Sequence, residues 1–448
     1  MSVVEACSQT QGPPGRLAVL CFLPDPGHVI PLLKIAEQAR QACDVLVLAP
    51  DELVSLVSGF GFRVAGVGPV RPESGQLELQ RYIAASEWVR VTSAFAACQE
   101  RYFDRLNERM GRTFHRHRQQ LAEYRPSCIL CDEKWVPQEF MEFLVGLGIP
   151  IFFHSTAPNS RRHNAWSLKH CYWTSPRVAV HDAIAKTRNE LRLWGKRLSS
   201  ARGRVAAAAE IGRLPPIRPS RKAITRLSTG TSFLEKALLS HRLLYTGGGR
   251  LVLPTVPPLE APLPHDLRQW LDQSPDGNIV YVSFGTLVRP EVGRIVNIAR
   301  AVLACGKRVL LQYSGEFPAI PGVRQEQWVP QATVLSHPAI AMMISHGGAG
   351  SLDEALWHGK PMLCVPNVWD HYYNSWIVSL LGAGIALPRR ALGSPRRLAA
   401  GVRRAMRQEH ADSARAISTL MRNYWSANEE AVTNLFRSSA KTGTAARP

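Results

Sequence analysis

The chain has 448 residues, 45% of them apolar and 20% charged, with a formal net charge of +19. That length exceeds one compact core and predicts two domains, and the ordinary apolar content suits a large soluble enzyme. No apolar run approaches the ~20 residues that span a bilayer, and the N-terminus lacks the basic-then-apolar order of a secretory signal.

Nine scattered cysteines, many inside apolar stretches, read as reduced, buried thiols in a cytoplasmic protein rather than a disulfide framework. Cys128 and Cys131 form a CxxC within an apolar strand, with no second pair beside it, and are assigned to core packing. The positive charge is concentrated in two segments. Residues 161–226 hold 16 Lys/Arg against three acids, and residues 389–448 hold 12 against four. An Arg-rich solvated surface is the first reading, and an anionic acceptor or acidic membrane surface the alternative. Nucleic acid is not expected, since no aromatic-interleaved basic motif is present.

In chain order, Arg16 to Leu23 reads as a buried parallel strand, followed by the turn Pro24 to Pro31 and a helix from Leu32 to Gln41. Strand Asp44 to Pro50, helix Asp51 to Ser58 and strand Phe62 to Val67 continue the alternation of a doubly wound sheet. The first turn carries no GxGxxG, so a dinucleotide site is not expected there. Residues 72–124 read as mostly helical, with His115 and His117 solvated in a basic run. Strand Pro126 to Asp132, helix Pro137 to Gly148 and strand Ile149 to His154 follow. Residues 155–226 are basic, and Trp166, Tyr172, Trp173 and Trp194 within them suit either an acceptor pocket or helix packing. The proline-rich stretch Leu251 to Pro264 reads as a linker.

Beyond it, a helix from Asp266 and a strand Asn278 to Phe284 open a second domain. Helix Glu291 to Cys305 and strand Arg308 to Tyr313 lead to the most informative stretch, Trp328 to His371. There the apolar run Ala341 to Ile344 enters a small-residue turn, His346-Gly347-Gly348-Ala349-Gly350-Ser351, and a helical run begins at Leu352. Such a turn lets backbone N–H groups and the positive helix end approach an anion such as a phosphate. Asp370 to Asn374 is a polar cluster expected at a strand end facing the same crevice. Basic helices, among them Arg396 to Gln408 and Ala414 to Phe436, precede a tail from Ser438 expected to be disordered.

The stretch resembles the donor-binding signature of the UDP-glycosyltransferase superfamily, glycosyltransferase family 1. The matching residues are Trp328-Val329-Pro330-Gln331, His346-Gly347-Gly348, Ser351, Glu354, Gly359-Lys360-Pro361 and Asp370-His371, with Asn374 close behind. The first turn, Gly27-His28-Val29-Ile30-Pro31, resembles the family's N-terminal Gly-His-x-x-Pro. The resemblance implies the α/β GT-B fold, two Rossmann-like doubly wound domains about a cleft. Residues 1–250 would bind the acceptor, 251–265 link, 266–405 bind the nucleotide sugar, and 406–448 cross back to the first domain.

It also implies roles. His28 would be the general base, oriented by Asp132, with Asp25 an alternative partner and an N-cap the alternative role for Asp132. Trp328 would stack on the donor base and Gln331 bond its edge. His346, Gly348, Gly350, Ser351 and Thr286 would hold the diphosphate, Glu354 the ribose, and Asp370 and His371 the sugar. The implied reaction is inverting and needs no metal, and the nucleotide diphosphate sugar is a co-substrate rather than a cofactor. Two departures stand out: Gly350 where the plant family has Asn, and His371 where it closes on Gln. The Gly350 turn resembles bacterial natural-product enzymes, which glycosylate antibiotics and related metabolites. The alternatives are a lipid-acceptor enzyme at an anionic membrane, or a non-catalytic nucleotide-sugar-binding activator.

Overall fold

The computed structural model describes residues 15–70, 108–132, 136, 138–155, 224–228, 250–252, 255–285, 290–367 and 370–445. The segment carrying Trp166, Tyr172, Trp173 and Trp194 lies outside them, as does Thr286.

Two all-parallel sheets organise the chain. The first contains β1 (Gly15–Leu20), β2 (Cys43–Ala49), β3 (Arg63–Gly66), β4 (Cys128–Asp132), β5 (Ile151–Ser155), β6 (Ile224–Ser228) and β7 (Arg250–Val252), in the order β3-β2-β1-β4-β5-β6-β7. In the second are β8 (Ile279–Ser283), β9 (Arg308–Gln312), β10 (Val323–Glu326), β11 (Ile340–Ser345), β12 (Met362–Cys364) and β13 (Gly384–Ala386), in the order β10-β9-β8-β11-β12-β13. Strands buried on both faces need no polar alternation, which is why they read as near-continuous apolar runs. Successive side chains point to opposite faces. Leu17 and Val19 join one core, while Ala18 and Leu20 join the core on the other face. Tyr281 and Met343 likewise face one side of the second sheet, and Val280, Val282 and Ile344 the other.

In both sheets the order reverses beside the first strand, between β1 and β4 and again between β8 and β11. Neighbouring connections there leave toward opposite faces, opening a crevice at the carboxyl ends of the strands.

Several boundaries differ from the sequence reading. Helix α1 (Pro26–Ala39) begins before Leu32, so His28 lies in its first turn rather than in a loop. Pro26 suits a first helical position, where its missing N–H has no partner to lose. Strand β7 takes Leu251 and Val252 out of the predicted linker and into the first sheet. The helix expected over Ala414 to Phe436 is two, α11 (Gln408–Ser426) and α12 (Glu429–Ala445), numbered after the helices described below. Asn428 makes the break: its carbonyl accepts from the Val432 N–H, and Glu429 and Glu430 favour a helix start.

The tail is also ordered further than expected, since α12 runs to Ala445. It packs against β1, β4 and α1. Phe436 meets Phe152 with ring centroids 4.9 Å apart, and a Cβ on Gly15 would fall 2.2 Å from the Cβ of Ala440. The chain's last helix thereby closes the first sheet's core.

His117, expected to be solvated, is 0% exposed in α3 (Phe114–Tyr124), which follows α2 (Val54–Gly59) among the described helices. Its ring stacks on Phe22 at 4.8 Å, and its Nδ1 is 3.0 Å from the Thr113 carbonyl. One helical face of a basic run turns inward, and the histidine lies on that face. Burial lowers its pKa to about 4. The folded protein therefore refuses a proton that the unfolded chain accepts near 6.5, so the cost is absent above that pH and grows as pH falls toward 4. His117→Phe is expected to flatten the loss of stability between pH 6.5 and 4 by about 3 kcal/mol, measured by urea denaturation across that range.

Candidate active site

At the first reversal, His28 follows β1 and Asp132 ends β4. His28 Nδ1 lies 2.7 Å from Asp132 Oδ2, with the two side chains 23% and 7% exposed. A carboxylate only accepts, so Nδ1 carries the proton and Nε2 is left to receive one. Asp25 contributes differently, its carbonyl accepting from the backbone N–H of His28 at 3.0 Å. The next described helix, α4 (Gln138–Gly146), begins six residues after Asp132.

At the second reversal, β11 runs into α8 (Ala349–Trp357), whose N-cap is Gly348. Helices α5 (His265–Asp272), α6 (Val292–Leu303) and α7 (Gln331–Ser336) precede it in the chain. Gly350 and Ser351, expected in a turn, therefore occupy the helix's first turn, whose N–H groups have no partners within the helix. The turn before it is tightly fitted. Gly347 has φ +85°, and a Cβ there would lie 2.5 Å from Ser375 Oγ and 3.0 Å from the His371 carbonyl. A Cβ on Gly348 would come within 2.5 Å of His346 Nε2, and one on Gly285 within 2.8 Å of His346 Cε1. The His346 ring is thus wedged between two glycines at the carboxyl ends of β8 and β11. Around Gly350 there is open space, with no atom within 4 Å of an added Cβ.

Asp370 and His371 do not end a strand. Asp370 is the N-cap of α9 (His371–Leu380), six residues beyond the end of β12. The Asn374 amide donates to the Gly347 carbonyl and to Asp370 Oδ2, each at 2.9 Å, and so ties this helix start to the glycine turn. His371 packs edge-on to His346 with centroids 4.3 Å apart. Burial depresses the His371 pKa to about 3, and burial followed by His371 holds His346 well below the ordinary range. Both rings are neutral at physiological pH, able to donate one N–H and accept at the other nitrogen.

Trp328 is 44% exposed, leaving a ring face open for stacking. Gln331, the first residue of α7, donates from Nε2 to Glu354 Oε2 at 2.8 Å, and its Oε1 lies 3.3 Å from the hydroxyl of buried Tyr281. The other oxygen of Glu354 is held from across the interface, 2.7 Å from Nζ of Lys34 on α1. Sequence reasoning missed Lys34. A lysine inside the apolar run Pro31-Leu32-Leu33-Lys34-Ile35-Ala36 was the available signal.

Paired sheets of this order, each with its own crevice, define the GT-B fold. Os79 of O. sativa in complex with UDP aligns over 96% of this chain and 100% of its own, with TM-score 0.62 and 18% identity. The spinosyn forosaminyltransferase SpnP aligns over 96% and 100%, with TM-score 0.60 and 16% identity.

Residues 257–423 match the family model "UDP-glucoronosyl and UDP-glucosyl transferase". The 2-hydroxyacylsphingosine 1-beta-galactosyltransferase of Rattus norvegicus is 35% identical over 143 residues, 31% of this chain and 26% of that protein. UDP-glucuronosyltransferase 2A3 of Mus musculus is 34% identical over 127 residues, 28% of this chain and 24% of that one. The matched region thus spans about a quarter of the length of these curated relatives.

Proposed function

We propose that the protein is an inverting glycosyltransferase that moves a sugar from a nucleoside diphosphate to a small-molecule acceptor. The observation that carries this reading is the His28–Asp132 pair at one crevice together with the fitted glycine turn at the other.

In this reading Trp328 stacks on the base, and Gln331 and Glu354 meet the base edge and the ribose. The diphosphate lies against His346, Gly348, Gly350 and Ser351, with Thr286 as a further donor. Asp370 and neutral His371 face the sugar. Nε2 of His28 takes the proton as the acceptor oxygen attacks the anomeric carbon. The bond from that carbon to the diphosphate oxygen breaks as the new one forms, and a single displacement inverts the centre. Asp132 stabilises the imidazolium that results. The N–H groups at the start of α8 and the ring N–H of His346 meet the charge of the leaving diphosphate, so the mechanism calls for no metal and no cofactor.

We place the reaction in the cytoplasm. The six described cysteines are free, as in a reducing compartment, and no described helix is long and apolar enough to cross a membrane. The acceptor class we favour is a secondary metabolite, in keeping with the structural likeness to a spinosyn-modifying enzyme. A lipid acceptor is the second reading, favoured by the exposed Arg396, Arg397, Arg403 and Arg404 of α10 (Pro395–Ala405). Salt-sensitive binding to anionic liposomes would support the lipid reading.

The first test is a thermal-shift screen against UDP-, dTDP- and GDP-sugars. A ligand that binds only the folded state raises its melting temperature, by an amount that grows with concentration over Kd. One nucleotide class is expected to do so, and no shift with any of them would overturn the donor-site assignment.

A further inference from the structure

Lys34 and Glu354 stand on different domains, yet their side chains are each only 8% exposed and their charged atoms are 2.7 Å apart. Burying two charges is costly, and such a pair is weak support for stability by itself. Its position is more informative. Lys34 lies six residues after His28 on α1, about 9 Å along the axis, and Glu354 is three residues after Ser351 on α8. Both carboxylate oxygens of Glu354 are held, one by Lys34 and one by Gln331. Each oxygen has two lone pairs and so keeps one to offer a ligand. Next along the helix, the Oδ1 of Asp353 is buried with no hydrogen-bond partner among the described residues. A buried carboxylate such as Glu354 near a site for an anionic nucleotide would repel it unless a cation offsets its charge.

We propose that Lys34 is a positioning residue for the nucleotide's ribose, fixing the plane of Glu354 and offsetting its charge so that the carboxylate accepts from the ribose hydroxyls. The first domain thereby takes part in reading the donor, and the site selects ribonucleoside over 2′-deoxyribonucleoside diphosphates. This rests on the donor-site reading above.

Calorimetric titration of the full chain with UDP and with dUDP tests it. The wild type is expected to favour UDP by about ten- to a hundred-fold, the worth of a hydrogen bond to a charged group. Lys34→Met should bind UDP more weakly and lose most of that preference. Lys34→Arg, which keeps the charge, should recover much of it. If Lys34→Met does not fold, Lys34→Gln, which can still donate to Glu354, carries the comparison and should give a reduced preference. Folded Lys34 variants with unchanged UDP affinity and an unchanged UDP-to-dUDP ratio would overturn the proposal, as would a wild type that does not distinguish the two nucleotides. A wild type that binds no nucleotide at all would instead overturn the donor-site reading.

Discussion

Replacing His28 with Ala is expected to lower kcat by about 10²- to 10⁴-fold, the usual contribution of a positioned general base. Donor binding should survive, because the residues assigned to the nucleotide, from Trp328 to His371, lie on the second sheet's crevice. The split between lost turnover and retained nucleotide affinity separates a catalytic role from damage to the fold. Asp132→Asn should cause a smaller loss. It keeps the shape of the partner 2.7 Å from Nδ1 but removes the charge that favours the imidazolium. Initial rates of nucleoside diphosphate release, alongside calorimetry with the same nucleotide, measure both effects. Full activity in His28→Ala would end the general-base assignment, whereas a wild type that binds nucleotide but shows no turnover would leave the non-catalytic binding alternative standing.

A loss in donor binding is expected from Gly347→Ala. A side chain at φ +85° costs roughly 1–2 kcal/mol in backbone conformation alone. The new methyl would also meet Ser375 Oγ at 2.5 Å and the His371 backbone at 3.0 Å. Backbone cannot yield cheaply, so the start of α9 must move, carrying with it Asp370 and the Asn374 bond to the turn. Nucleotide affinity should fall by tenfold or more, since about 1.4 kcal/mol corresponds to a factor of ten. Gly293→Ala on α6 is the control. It has open space and helical backbone, and should be neutral or stabilising by up to about 1 kcal/mol. Equal behaviour of the two variants in titration and urea denaturation would mean the turn is not the fitted cradle described above.

Much of this was legible in the residues because its causes are local. Runs such as Val45-Leu46-Val47-Leu48 suit doubly buried strands, and their alternation with helical segments points to a parallel sheet. The small-residue turn after Met343-Ile344 read as a candidate anion site, and the stretch resembled a known family's donor signature. Local patterns also misled where a neighbour decided the outcome. The basic helix hid buried His117 because a single inward face is set by Phe22 and Phe140, which come from elsewhere in the chain. The tail looked unstructured because an apolar residue such as Ala440 finds its neighbour on β1, far away in the chain.

By itself the sequence determined the two doubly wound sheets and the residue types at each crevice. Period and composition act over a few residues, and those features need nothing more. Only the tertiary structure decided that Nδ1 of His28 meets Asp132 rather than Asp25. The same holds for the Asn374 bond to the glycine turn and for Lys34 reaching Glu354 from the other domain. Those pairings join residues separated by 104, 27 and 320 positions, and no local preference encodes a contact that only tertiary packing creates.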